Sequence, residues 1–288
     1  MANVSDEDAA ATEMSLSSNH EDWIKIQESL KKVLIEEDDF KWKLPNPKST
    51  SSTQSIPIEE EEERELEELK YVGGFDVSFS KEDPSIACGS LVVLELPGMK
   101  VTYHDFSLVR LYVHYVPGFL AFREAPLLLD LLENMKKQAN QFYPQLLMVD
   151  GNGVLHPRGF GLACHLGVLT DLPAIGIGKN LHHVDGLTQS GVIQLLKAKE
   201  SSGEEFVTLM GRSGRTWGVA MRSTKVSSKP IFVSIGHRVS LDTAINIVKM
   251  TCKYRVPEPI RQADIISREH IRKSPNLVGI LEIKSSDY

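Results

Sequence analysis

Three apolar, β-branched runs follow one another from residue 71 with almost nothing between them, and no other feature of the chain constrains its fold as much. They are YVGGFDVSFS (71–80), IACGSLVVLEL (86–96) and KVTYHDFSLVRL (100–111). The first link, residues 81–85, contains Asp83-Pro84; the second is a Pro97-Gly98 turn. Links this short join antiparallel neighbours, because a parallel pair needs a crossover of roughly a dozen residues or more. The chain therefore predicts a three-strand antiparallel meander.

The periodicity then changes. Residues 120–142 read as a helix, with Leu127, Leu128, Leu131, Leu132 and Met135 on one side and Pro126 near its first turn or kinking it. QLLMVD (145–150) and LPAIGIGK (172–179) read as short buried strands, separated by a Gly-rich loop and the helix-like GLACHLGVLTD. VTLMG, TWGVAMRS and PIFVSIGHRVS add strands, and residues 241–255 and 258–273 read as closing helices. The order β-β-β-α-β-α-β predicts an α/β fold with a central mixed sheet, begun by the meander and flanked by helices.

Ahead of this body lie a polar, acidic and disordered tail (1–20) and a helical segment plus acidic linker (21–70). Trp23, Ile26, Leu30, Val33 and Leu34 predict an amphipathic helix within 21–43. Residues 44–58 are a Pro/Ser/Thr-rich linker, and an acidic run follows from Glu59 to Glu63. The body spans 71–275, followed by a C-terminal tail at 276–288. Net charge divides the same way: −11 over the first 70 residues and +4 over the rest. A mildly basic body permits a polyanionic partner without demanding one. No apolar run approaches the ~20 residues of a membrane span, and no secretory or organellar signal is visible. Cys88, Cys164 and Cys252 form no zinc pattern, and a reducing compartment fits them best. Cytoplasm or nucleus, including the nucleolus, is the expectation, with a monomer.

Single residues leave their roles open. Asp76 lies inside a strand, where alternation allows either a solvent-facing carboxylate or a buried one needing a partner. Asp150 ends an apolar strand before Gly151-Asn152-Gly153; it either caps a turn or borders a ligand that backbone approaches closely. Glu124, after Arg123, suits the start of a helix. Lys179 ends the second buried strand, and His237 sits in Gly236-His237-Arg238, where a structural histidine is common. Tyr115 beside Pro117 is either a packed loop aromatic or a wedge between bases. Lys249, Lys253, Arg255, Arg261, Arg268, Arg272 and Lys273 follow a phosphate backbone or cover a solvated helix face.

Together the acids say more. If the first and fourth strands are neighbours, Asp76 and Asp150 converge at the centre of the sheet. Clustered carboxylates repel and call for a cation, and hard oxygen ligands suit Mg²⁺ or Mn²⁺. Such a metal serves phosphodiester hydrolysis, with Lys179 offsetting charge and His237 orienting or deprotonating water. This order of acids is the pattern of ribonuclease H-like nucleases.

Four segments extend the pattern: GGFDVSF, YVPGFLAFRE, LLMVDGNGVLHPRGFGLACHLGVLTDLPAIGIGK and SIGHRVSL. They resemble the endonuclease V family of inosine-directed nucleases, and its eukaryotic branch most, over roughly residues 70–275. The resemblance implies a ribonuclease H-like nuclease domain and Mg²⁺-dependent hydrolysis, with Mn²⁺ able to substitute. It places metal-binding and catalytic acids on Asp76, Glu124 and Asp150, a catalytic lysine on Lys179 and an active-site histidine on His237. It puts the base wedge on Tyr115, Val116 and Pro117, and His156 and Arg123 beside the site. It builds the hypoxanthine pocket from Gly118, Leu120, Gly151, Gly153, Gly161 and Leu162. His114 departs from the proline that starts the wedge in many relatives, and the N-terminal extension has no expected counterpart in compact bacterial ones. The implied reaction is cleavage 3′ to inosine in single-stranded RNA, at the second phosphodiester, leaving 3′-hydroxyl and 5′-phosphate ends. Deoxyinosine in DNA is the alternative substrate. A non-cleaving inosine-binding module and a structural α/β protein with incidental acids are the competing classes.

Overall fold

Alternation along the strands sorts the chain into two cores, one on each side of a single large sheet. The structure, a computed structural model, describes residues 20–45, 66–200, 205–224, 227, 229–273 and 281–283. Residues 20–31 form helix α1. A two-stranded parallel ribbon of β1 (Trp42–Lys43) and β2 (Glu67–Glu68) stands apart from the main sheet. The meander is β3 (Tyr71–Phe79), β4 (Ile86–Glu95) and β5 (Lys100–Leu111), antiparallel throughout. Then come α2 (Leu120–Gln138), β6 (Leu146–Asp150), α3 (Leu162–Thr170), β7 (Ala174–Gly178) and α4 (Gln189–Glu200). The chain continues with β8 (Phe206–Met210), β9 (Thr216–Met221), β10 (Ile231–His237), α5 (Leu241–Thr251), α6 (Glu258–Lys273) and β11 (Leu281–Ile283).

The main sheet runs β11-β5-β4-β3-β6-β7-β10-β9-β8. β3, β6 and β7 lie side by side and parallel, so the first strand of the meander neighbours β6 as expected. Odd and even positions of β6 part company: Leu146 and Met148 join a core with Ala244, Ile247 and Ile260 of α5 and α6. Leu147 and Val149 join the opposite core with Leu128, Leu131 and Leu166 of α2 and α3. This is the period-2 burial of a strand covered on both faces. The same parity carries Asp76, Asp150 and Lys179 to the face that α6 covers.

Helix α6 comes unusually close to β3. A Cβ at Gly74 would lie 2.2 Å from the Pro259 carbonyl carbon, so only glycine lets the helix start settle there. Ile260 and Ala263 are fully buried beneath it.

The N-terminal helix is shorter than its periodicity predicted. It stops at residue 31, and the next residues turn to bind the far end of β10. Arg238 N donates to Ile35 O at 2.8 Å, and Asp38 accepts from Ser240 N and Thr243 Oγ1, both at 2.6 Å. Tertiary hydrogen bonds thus displace helical ones after the first three turns. The expected tail at 276–288 includes β11, which pairs parallel with β5. The expected tail at 1–20 lies almost wholly outside the described residues, as do residues 46–65 of the expected linker.

Candidate active site

Asp76 on β3 and Asp150 at the end of β6 stand on adjacent strands, one step past the Phe75–Val149 pair. A third carboxylate, Asp264, descends on α6. One ligand oxygen from each of the three lies within 4.8 Å of the others. Asp76 is buried, and it accepts from Ser267 Oγ at 2.6 Å and Ser78 Oγ at 3.2 Å. Lys179 Nζ lies 2.5 Å from Asp150 Oδ2 and 3.7 Å from Asp264 Oδ1. Arg268 pairs with Asp264 at 2.8 Å. Asp76, Asp150, Lys179, Asp264 and Arg268 line a cleft of about 1140 Å³, together with Ser80, Lys81, Arg110 and Arg272.

The electrostatics follow from three acids in a half-dry site. Burial first, and then the Asp150 carboxyl beside it, push Asp76 up to about 6, against the opposing Ser267 hydrogen bond and Lys179 charge. Glu124 comes from α2 and is buried. Burial, then Asp150 and Asp76, push it up to about 8. Burial would lower the Lys179 ammonium, but Asp150, Asp76 and Asp264 together hold it above its ordinary value. Such a donor set, three carboxylate oxygens crowded together in a half-dry site, fits a hard divalent cation.

His237 is elsewhere. It pairs with Ala174 at the start of β7, whereas Asp150 pairs with Ile177 near its end, about 10 Å along the strand at ~3.3 Å per residue. Its side chain faces α3: a Cβ at Gly167 would lie 2.5 Å from the His237 Cβ. Nδ1 accepts from Ile35 N at 3.3 Å and Nε2 lies 3.8 Å from Asp171. The structure thus sets His237 apart from the three acids. Arg123 is also turned away, donating to Val113 O at 3.0 Å and Pro84 O at 2.8 Å, where it ties two loops together.

The remaining residues form a second group, joined to the acids through Asp150. Gly151 abuts Leu162, and Gly161 N donates to Gly153 O at 3.0 Å. Gly153 and Gly161 serve the protein's own packing first: a Cβ would lie 1.9 Å from Ile235 O in one case and 2.3 Å from Asn152 O in the other. Gly118, at φ +86°, lies against His156 and Arg158, and Leu120 opens α2 just beyond it. His156 is buried, and burial, with help from His182 and Arg158, lowers it to about 4. Tyr115 is 58% exposed, with Pro117 also exposed and Val116 half-buried. Of the basic residues in 249–273, Lys249, Arg261 and Lys273 are paired with Glu205, Glu258 and Glu269, and Arg255 donates to backbone carbonyls. Arg268 and Arg272 line the acidic cleft.

The Endonuclease V family model matches residues 52–265. The chain belongs to the Endonuclease V family. Endonuclease V of Homo sapiens is 50% identical over 212 residues, covering 73% of this chain and 75% of that protein. Endonuclease V of Dictyoglomus turgidum is 33% identical over 250 residues, covering 86% of this chain and 90% of that protein. That bacterial match is longer than everything after residue 70, so it reaches into part of the N-terminal extension. Among solved structures, the catalytic domain of human Endonuclease V superposes with a TM-score of 0.77 at 41% identity, covering 90% of this chain and 98% of that one. Endonuclease V of Ciona intestinalis, in complex with a DNA containing an inosine followed by a ribo-adenosine, gives 0.76 at 35%, covering 89% and 99%. The fold is therefore that of the Endonuclease V nucleases, ribonuclease H-like, and the chain is a hydrolase of phosphodiester bonds. Among the described residues, no helix is long and apolar enough to cross a membrane.

Sequence reasoning missed Asp264. The signal was present: Ile260, Ala263, Asp264 and Ser267 share one stripe of α6 at i, i+3, i+4 and i+7, so an acid falls on the buried face.

Proposed function

We propose that the protein is a Mg²⁺-dependent endonuclease that cuts single-stranded RNA on the 3′ side of an inosine. The observation that carries this reading is the convergence of Asp76, Asp150 and Asp264 beside Lys179. These three carboxylates would hold the ion, with Glu124 behind them. A bound Mg²⁺, or Mn²⁺ in its place, supplies activation of water and stabilisation of a leaving oxygen. Lys179 orients Asp150 and sets a fixed positive charge beside the scissile phosphate. Tyr115, Val116 and Pro117 form the wedge that parts the strand, and an exposed aromatic on a proline-stiffened turn suits stacking. Gly118, Leu120, Gly151, Gly153, Gly161 and Leu162 frame the flipped base, with neutral His156 alongside. Hypoxanthine differs from adenine at O6 and N1–H, which fixed backbone donors and acceptors can read. Water displaces the 3′ oxygen at the second phosphodiester, leaving a 3′-hydroxyl and a 5′-phosphate.

RNA is favoured because the Ciona relative binds a DNA in which the nucleotide after inosine is a ribo-adenosine. The enzyme acts as a monomer in the cytoplasm or nucleus. The test is cleavage in Mg²⁺ of RNA and DNA strands of one sequence, each with and without a central inosine, with Asp150→Ala as control. Inosine-dependent RNA cutting, lost in the variant, is expected. Equal cutting with and without inosine sinks the reading, and preferential DNA cutting moves it to deoxyinosine repair.

A further inference from the structure

Helix α1 lies across both loops from which the base site is built. His20, Trp23, Gln27 and Lys31 share one of its faces. The Trp23 ring stacks on Phe122 at 5.2 Å and leans on Phe119 at 6.0 Å, just after the wedge. Lys31 Nζ donates to Arg158 O at 2.9 Å in the Gly-rich loop. Between these contacts sits Gln27, 1% exposed. Its Nε2 donates to Gly118 O at 3.2 Å and to Phe160 O at 2.9 Å, and its Oε1 accepts from Arg158 Nε. Carbonyls only accept and guanidinium only donates, so one amide orientation satisfies all three partners. A buried amide carries a desolvation cost that these bonds offset, and nothing about the helix itself requires it.

We propose that Gln27 is a positioning residue that sets the spacing between the wedge and the base pocket, making α1 part of inosine recognition. This rests on reading Gly118 and residues 151–162 as the base site. One side chain joins the Gly118 carbonyl, directly behind the wedge, to the Phe160 carbonyl, directly before Gly161. None of these contacts involves Asp76, Asp150, Asp264 or Lys179. Its loss loosens where the base sits and leaves the carboxylates in place. The effect belongs in KM and in base discrimination rather than in turnover.

Two variants separate the hydrogen bonds from bulk. Gln27→Met keeps the length and donates nothing. Gln27→Glu keeps an acceptor for Arg158 and sets oxygen against two carbonyls. Steady-state cleavage is measured in Mg²⁺ on single-stranded RNA with a central inosine and on the same strand with guanosine there. In Gln27→Met, KM for the inosine strand rises about tenfold, the scale of one or two lost hydrogen bonds, and more in Gln27→Glu. The preference for inosine over guanosine in kcat/KM falls by a similar factor, while kcat changes much less. A purely structural role gives the reverse pattern, because a smaller folded fraction lowers apparent kcat at unchanged KM. That pattern, or variants that keep the parent KM and preference, overturns the proposal. If the parent enzyme itself shows no preference for inosine, the base-site reading has failed and not Gln27 alone.

Discussion

Asp264 joins the acids at the end of β6 while His237 faces α3 near the start of β7, and their surroundings give them opposite work. Asp264 has Lys179 and Arg268 on it, and a cleft in front of it. His237 is 2% exposed, holds the Ile35 amide and is lowered by burial and by Arg238, so it stays neutral. Replacing Asp264 with Asn, which keeps shape and removes charge, should lower the cleavage rate by at least about 10–100-fold, the loss typical of disturbing a metal site. His237→Gln should retain turnover and lose about 1–3 kcal/mol of stability, the cost of disturbing a buried hydrogen-bonded group. Single-turnover rates and denaturant titrations of both variants check this. A dead His237→Gln enzyme with a parent-like denaturation midpoint would return the histidine to the chemistry.

Among elements, α6 is the one on which the site depends most. Its start rests on Gly74, where Pro259 packs, and about two turns further on Ser267 grips Asp76. Gly74→Ala puts a Cβ against backbone that cannot turn aside. The expected cost is about 1–3 kcal/mol, together with a fall in cleavage larger than the loss of folded protein explains, because Asp264 moves with the helix. Circular dichroism melting alongside cleavage rates tests it, and a variant with parent-like values in both sinks it. The β-rich elements were the most legible in the sequence. Short links dictated the meander, and strand parity put Asp76, Asp150 and Lys179 on one face. What the sequence hid was how a helix far along the chain returns to β3, since spacing within α6 says which face is buried but not what it covers. His237 misled for a related reason: it ends a strand, yet antiparallel pairing of β10 with β7 sends that end away from Asp150.

The molecule as a whole is stabilised against itself by proton uptake. In the metal-free protein Glu124 is held up to about 8 and Asp76 up to about 6, both by burial first, so at these two groups the folded state binds more protons than the unfolded chain until pH rises past those values. His156 and His165 act oppositely, lowered to about 4 by burial, so their contribution rises with pH and levels off only above about 6.5. Between about pH 7 and 8 Glu124 dominates, and stability should fall as pH rises. Melting in a chelating buffer checks the slope. Added Mg²⁺ or Mn²⁺ should raise the melting temperature more at pH 8 than at pH 6.5, since a ligand of the folded state stabilises it. Glu124→Gln should flatten the metal-free slope, and an unchanged slope would show that Glu124 is not its source.

Asp264 also has a consequence for the order of events at synthesis. It belongs to the last helix among the described residues, while Asp76 and Asp150 leave the ribosome long before it. A nascent chain can pair β3 with β6 and bring two acids together, yet lacks the third until α6 has emerged. A nuclease of this family is thereby kept incomplete until α6 has left the ribosome.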